Sequence, residues 1–389
     1  MRSVFPIYLA GLGSWFVPLG IQMVLFPWLV AVVLRMDAFA VGVAQTAMML
    51  PSLLFLPLGG LAADRGNPRR LLMRYHLLYA LPPVVLGVVL GMGGLSYPLL
   101  IAYGLVAGSI SAFAIPTRDA LLPFVAKGNL ARAVALTTAL QFGGQLIGIA
   151  CASSADRLGP MPLLGLHAFL VALGATAVWR LPDPPPHPPH APSSFWRSVA
   201  EGVSAAAKSD QMWPVLLINF GAGVFFVGPF VAVLPIAVRD HYHGGAAELS
   251  YMNLAFWAAT IVAAMAFATL ARRLTLRGRL IAIAVSVGGG VLITLSTLPP
   301  FPVFVALIFV WGIGAGITLT QSRTVLQIMA PPSHRARLLS LFQLGLGGGG
   351  PIGAIWGIRT AMLLPALAML AAILVIVLRS RLLTMRTVE

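Results

Sequence analysis

Ten carboxylates are spread over 389 residues, and their placement limits the chemistry open to the chain. None falls at the centre of an apolar run. Asp64, Asp119, Asp183, Glu201, Asp210 and Glu389 lie in one set of connections and run ends, and Asp37, Asp156, Asp240 and Glu248 in the other. Two groupings of acid and cation bear on function. Behind Gly59-Gly60-Leu61-Ala62-Ala63 stands Asp64-Arg65-Gly66-Asn67-Pro68-Arg69-Arg70, where one carboxylate and three guanidiniums share a short stretch. Asp119 follows Arg118 directly, a pair that either exchanges a proton at the edge of an apolar segment or serves as a structural charge pair or helix cap. Arg323 occupies the matching place later in the chain. Arg118 and Arg323 either attract an anion or snorkel to the aqueous edge.

Other reactive groups give weaker patterns. His241-x-His243 beside Asp240 has metal-ligand types, but two His and one acid in a connecting loop read more simply as a solvated turn. His187 and His190 lie in a proline-rich stretch and carry no more weight. His76 and His167 lie inside apolar runs, where an imidazole titrates near neutral pH or makes a hydrogen bond between helices. Gly345-Leu346-Gly347-Gly348-Gly349-Gly350-Pro351-Ile352-Gly353 is not followed by Lys-Ser or Lys-Thr, so it is not a phosphate loop. Its glycines permit close helix packing and, with Pro351, a bend. No nucleophile, acid and base gather at one membrane face, so an enzyme has no visible site. No metal and no cofactor are expected.

Neutral polar residues are the better guide to a binding cavity. Thr138, Gln141 and Gln145 are spaced three and four apart and share one helix face. Asn253, Trp257 and Thr260 make a similar stripe, as do Thr318 and Gln321, while Gln22, Asn219 and Gln343 stand alone in apolar runs. Trp311 adds an aromatic surface. Each such group either bonds a neighbouring helix or lines a cavity. Amide, hydroxyl and aromatic groups together suit an amphipathic, largely neutral small molecule.

The elements that position these residues are membrane spans. The chain is 59% hydrophobic and 9% charged, against roughly a quarter charged in soluble proteins. Runs long enough to cross a bilayer are expected at about 4–34, 39–62, 71–92, 97–122, 130–154 and 161–180, and again at 212–238, 247–271, 280–298, 302–329, 335–357 and 361–379. Leu181 to Pro192 is too rich in proline for a helix and reads as a semi-rigid tether. Ser193 to Gln211 reads as a short amphipathic surface helix. The expected units are therefore an N-terminal bundle over 1–180, a linker over 181–211 and a C-terminal bundle over 212–389. Cys151 is the single cysteine, so no disulfide forms within the chain. The N-terminus reads as the first span and not as a cleaved signal.

The net charge of +15 follows this topology. Only Arg35, Arg157, Arg239 and Arg359 of the 25 Lys and Arg fall in expected outer loops. The remainder lie on the other side, which places both termini in the cytoplasm. The charge orients the chain in the bilayer and leaves no nucleic-acid face.

The stretch Gly59 to Arg70 resembles the signature between the second and third spans of the major facilitator superfamily, G-x-L-a-D-r-x-G-r-r. Pro68, directly ahead of the basic pair, departs from it. Internal repetition extends the resemblance. Thr117-Arg118-x-x-Leu121 returns as Ser322-Arg323-x-x-Leu326, Ala131-Arg132 as Ala336-Arg337, and Ile147-Gly148 as Ile352-Gly353. Ile115-Pro116-Thr117-Arg118-Asp119-Ala120-Leu121-Leu122-Pro123 and Pro331 to Ser340 resemble the transmembrane secretion effector branch, which holds enterobactin exporters and macrolide efflux pumps. No proline follows Gly143-Gly144, unlike the fifth span of drug–proton antiporters.

The resemblance implies an all-α fold of twelve spans in two pseudo-symmetric six-helix bundles. It also implies a conformational latch at Gly59, Asp64, Arg65, Gly66, Arg69 and Arg70, with Arg118, Asp119 and Arg323 as a coupling and charge group. The implied activity is export of a drug, siderophore or metabolite across a bacterial inner membrane by alternating access, with protons as the coupling partner. Facilitated uptake or uniport of a metabolite or lipid-like solute stays open, and a polytopic membrane enzyme stands behind it.

Overall fold

The structure, a computed structural model, describes residues 4–126, 130–184, 204, 209–269, 276–329 and 357–384. All regular structure among them is helical. Among the described residues, eleven helices have the length and apolarity to cross a membrane. They are α1 (Phe5–Val33), α2 (Ala38–Arg65), α3 (Pro68–Gly91), α4 (Tyr97–Ala126), α5 (Leu130–Ala152), α6 (Pro160–Trp179), α7 (Met212–Asp240), α8 (Ala246–Thr269), α9 (Arg277–Ser296), α10 (Phe301–Met329) and α11 (Gly357–Arg379). The first ten coincide with expected spans one to ten, and α11 with the twelfth. The expected span at 335–357, with Gln343 and the glycine run, lies outside the described residues, as does nearly all of the expected surface helix. The architecture is the all-α, twelve-span one.

The boundary between α2 and α3 differs from expectation. The sequence suggests a loop from Gly59 to Arg70, but α2 runs on through Asp64 to Arg65. Gly66 N–H closes its last turn on the Ala62 carbonyl at 2.9 Å. Charge ends the membrane-compatible stretch without ending the helix, because backbone bonding does not depend on hydropathy. α3 then starts at once. Asn67 is its N-cap, accepting from Arg70 N–H at 3.2 Å, and Pro68 takes the first helical position, where its missing N–H costs nothing. Arg69 and Arg70 therefore sit in a helical first turn. Likewise, α4 continues past the expected end at 122 to Ala126, carrying Pro116 and Pro123 within it.

Two spans contain wide π turns. In α1 the last segment, Leu29–Val33, is π-helical. α7 has two such segments, Gly223–Val227 and Pro229–Val233.

By packing, the chain divides into two compact units: residues 1–36, 44–191 and 244–251, and residues 37–43, 192–243 and 252–389. In the first, glycines bring backbones together. A Cβ on Gly20 would lie 2.1 Å from the Gln145 carbonyl oxygen, and one on Gly148 2.0 Å from that of Val17, so α1 and α5 cross at this point. α2 and α4 meet through Gly59 against the Ala112 carbonyl and Gly108 against that of Met48. In the second unit Gly312 and Gly316 of α10 fit against the carbonyls of Phe256 and Thr260 in α8, a small-residue seam that suits helices lacking a hydrophobic drive to associate. The outer surface suits lipid. On α3, Leu77, Leu81, Val84 and Val88 are each about half exposed or more, one stripe at helical spacing.

Candidate functional site

The signature stretch forms a junction with the start of the linker. Arg69 Nη1 lies 3.0 Å from Asp183 Oδ1, and Arg69 Nη2 donates to the Trp179 carbonyl at the end of α6. Asn67 Nδ2 donates to the same Asp183 oxygen at 2.8 Å, while Arg70 Nη2 stands 3.8 Å from Oδ2. The hydrogen bond from Asn67, aided by Arg69 and Arg70, holds the Asp183 carboxyl below its usual range. Gly59 is buried where α2 meets α4, whereas Arg65 and Gly66 are exposed. The Asp64 side chain lies outside the description.

Arg118 and Asp119 do pair, with Nε and Oδ1 3.3 Å apart, and the arginine is the more buried partner. Its guanidinium lies over the Phe16 ring at 5.0 Å, and its carbonyl accepts from the Tyr8 hydroxyl at 3.0 Å. The pair thus stands within α4 and is packed against α1. In the second unit Arg323 is exposed on α10.

The polar stripes divide by surroundings. On α5, Thr138 is exposed, Gln141 is half-buried and Gln145 is buried. Gln22 is buried in α1, accepting from Tyr79 of α3 at 2.6 Å and donating to Met48 Sδ of α2 at 3.3 Å. Thr260 donates to the Gly312 carbonyl at 3.0 Å and so joins α8 to α10. Thr318 donates within its own helix to Gly314. Trp311 packs in an aromatic cluster with Phe226, Phe230 and Phe256, with centroids 5.6 to 5.9 Å from its own. Asn219 and Asn253 are buried.

Gln321, Trp257 and Ser322 of the second unit stand apart, each with a buried polar atom lacking a hydrogen-bond partner among the described residues. Gln321 is 1% exposed, and neither end of its amide has a hydrogen-bond partner among the described residues. The indole N–H of Trp257 is also buried without one. Orphaned polar atoms of this kind are costly in a helical bundle and are the atoms a polar ligand group would satisfy.

Sequence reasoning missed two clusters in the first unit. Trp15, His76, Tyr79 and His167 gather into a ring group. Trp15 stacks on Tyr79 at 4.4 Å and meets His76 edge-on at 5.0 Å, and Tyr79 lies 5.5 Å from His167. The three-residue spacing of His76 and Tyr79 was the available signal. Asp156 accepts from Trp28 Nε1 at 3.0 Å and from Ala247 N–H, in the first turn of α8, at 2.9 Å. Nothing in the spacing of these three residues marks that contact. Among the described residues no group of three or more His, Cys, Asp or Glu could hold a metal.

Known proteins supply the remaining comparison. The sequence pattern of the Major Facilitator Superfamily matches residues 7–354. The multidrug efflux pump Tap of Mycolicibacterium fortuitum is 23% identical over 370 residues, covering 90% of this chain and 86% of that one. The fold is similar to that of the nucleoside transporter NupG, with a TM-score of 0.71 at 14% identity over 97% of this chain and 99% of the other. It is similar also to a POT family transporter in complex with 5-aminolevulinic acid, with a TM-score of 0.74 at 13% identity over 98% and 97%. A family pattern that runs through nearly all the spans, on a fold shared with transporters over nearly their full length, means that this chain belongs to the Major Facilitator Superfamily.

Proposed function

We propose that this transporter exports a small, amphipathic, largely neutral molecule by alternating access of two six-helix halves, 1–180 and 212–389, with protons moving the opposite way. The observation that carries the reading is the pair of orphaned neutral polar groups, the Gln321 amide and the Trp257 N–H, inside otherwise apolar helices. Such groups bind a solute with a few polar atoms on an apolar body and offer nothing to a highly charged one. The distant likeness to a multidrug efflux pump supports the outward direction. The expected site also includes Gln22, Thr138, Gln141, Gln145, Asn219, Asn253, Trp311, Thr318 and Gln343, with Asp64 and Arg65 as the latch, in the inner membrane of a bacterium.

Facilitated flux without proton coupling is the second reading, favoured by the absence of any acid near the centre of a span. Accumulation of a radiolabelled macrolide in efflux-deficient cells separates the two. Export predicts lower accumulation in cells expressing the protein, restored by a protonophore. Raised accumulation, or an effect indifferent to the protonophore, overturns proton-driven export for this probe.

A further inference from the structure

His76 and His167 are both buried in the first unit, at 2% and 1% exposure, but their surroundings differ in one respect. His76 has a carbonyl oxygen at each ring nitrogen: Leu72 O lies 2.9 Å from Nδ1, and Gly11 O lies 3.3 Å from Nε2. A neutral imidazole has one N–H and one lone pair. With acceptors on both sides, the neutral ring must aim its lone pair at a carbonyl lone pair, whereas the imidazolium donates to both. His167 Nε2 has no hydrogen-bond partner among the described residues, so a proton added there would meet no acceptor from them.

The two acceptors of His76 belong to different helices. Leu72 is on its own helix, one turn back, and holds Nδ1 whatever the neighbours do. Gly11 is on α1, and its carbonyl also accepts from the Ser14 hydroxyl at 2.7 Å. Gly174 of α6 leaves the room that this arrangement needs: a Cβ there would lie 2.0 Å from Ser14 Oγ and 2.9 Å from His76 Nε2. If α1 moves away from α3, Nε2 loses its acceptor and the neutral form becomes the satisfied one.

We propose that His76 is the proton carrier of this transporter, binding one proton while α1 and α3 are close and releasing it when they part. The proposal rests on the proton-coupled reading above and supplies the titrating group that no mid-span carboxylate provides. The step is a simple protonation: imidazole takes one proton from water to give imidazolium and returns it. The facing groups are few. From α1 they are the hydroxyls of Tyr8 and Ser14. From α3 comes Tyr79, whose hydroxyl is engaged by Gln22, with His167 of α6 beyond it. From α4 comes Arg118, which opposes a second cation but is partly offset by Asp119 at 3.3 Å. His76 and Arg118 line one narrow cavity together with Tyr8, Leu12, Trp15 and Leu72.

Trp15, edge-on to His76 at 5.0 Å, makes the proton visible without any substrate. Tryptophan fluorescence of the purified full chain in detergent, titrated over the range in which an imidazole changes charge, about pH 5 to 8, should show one quenching step on acidification. The step should vanish in His76→Gln, vanish in Trp15→Phe, and persist in His167→Gln. A step that survives in His76→Gln, or its absence from the wild type, overturns the proposal. His76→Asn serves if the Gln variant does not fold. In the cell assay, protonophore-sensitive macrolide export that is unaffected by His76→Gln would retire the proton carrier and leave the export reading intact. A wild type that exports nothing yet titrates at His76 would do the reverse.

Discussion

Asp183 receives Arg69 at 3.0 Å and Asn67 at 2.8 Å on a single carboxylate oxygen. The residues that cap and open α3 thereby also hold the first acid of the linker. The basic pair of the family signature has an occupant supplied by the chain itself, one residue ahead of the proline run that begins at Pro184.

Removing that acid should loosen the linker before anything else. Asp183→Ala is expected to speed proteolysis within 181–211 severalfold while the spans stay intact, as read by mass spectrometry of the fragments. The pH dependence has a definite sign. The folded carboxyl lies below its usual value, so its contribution is complete above the unfolded carboxylate pKa, near 4, and is lost as pH falls through the lower folded value. Protection should thus hold at pH 5 and fail only in stronger acid. High salt should weaken it as well, because the pair is exposed.

Gly59 and Gly60 are neighbours with opposite demands. A Cβ on Gly59 would lie 2.4 Å from the Ala112 carbonyl oxygen, while Gly60 has nothing within 4 Å. Gly59→Val should cost about 1–3 kcal/mol through overpacking of α2 on α4. Gly60→Ala should be neutral or gain about 0.5–1 kcal/mol, because alanine favours the helix. Unfolding of the purified protein in detergent compares them directly.

The Tyr79–Gln22 hydrogen bond joins α3 to α1 next to the ring group. Tyr79→Phe, Gln22→Leu and the double variant form a thermodynamic cycle. The expected coupling is about 0.6 kcal/mol, the average for hydrogen bonds between membrane helices, with about 1.7 kcal/mol as the upper bound. A coupling near zero would mean that the bond holds nothing together.

Gln321 separates structure from transport. Its amide is buried with no partner among the described residues, so Gln321→Leu removes a desolvated polar group and should leave stability unchanged or raise it by about 1–3 kcal/mol. Macrolide export by the same variant should fall. A variant that is both more stable and fully active would remove Gln321 from the proposed site.

The spans were legible because lipid demands long apolar runs and each is bounded by glycine, proline or charge, as at Pro98 and Arg180. The reading failed where hydropathy and backbone bonding part company. Asp64 and Arg65 leave the hydrocarbon without leaving the helix, and the Asn67 cap with Pro68 turns an expected loop into a helical turn. Partnerships were harder still. Gln22 looks the same in sequence with or without its bond to Tyr79, and that bond joins residues 57 positions apart. Asp156 and Ala247 are 91 positions apart, beyond any local pattern. The Arg118–Asp119 pair could be seen because its members are adjacent.

The wide turns in α1 and α7 act as surplus thread wound into a spool. Each π segment holds one more residue than the turn it replaces, and side chains beyond it are swung by about 100° about the axis. Sliding that slack along by a residue would rotate one side chain after another to a new neighbour while the backbone stayed hydrogen-bonded on either side. A span built in this way can twist its far end by small increments. The Leu29–Val33 segment lies one residue beyond Trp28, the residue that holds Asp156, so slack gathered there would be felt first at that grip.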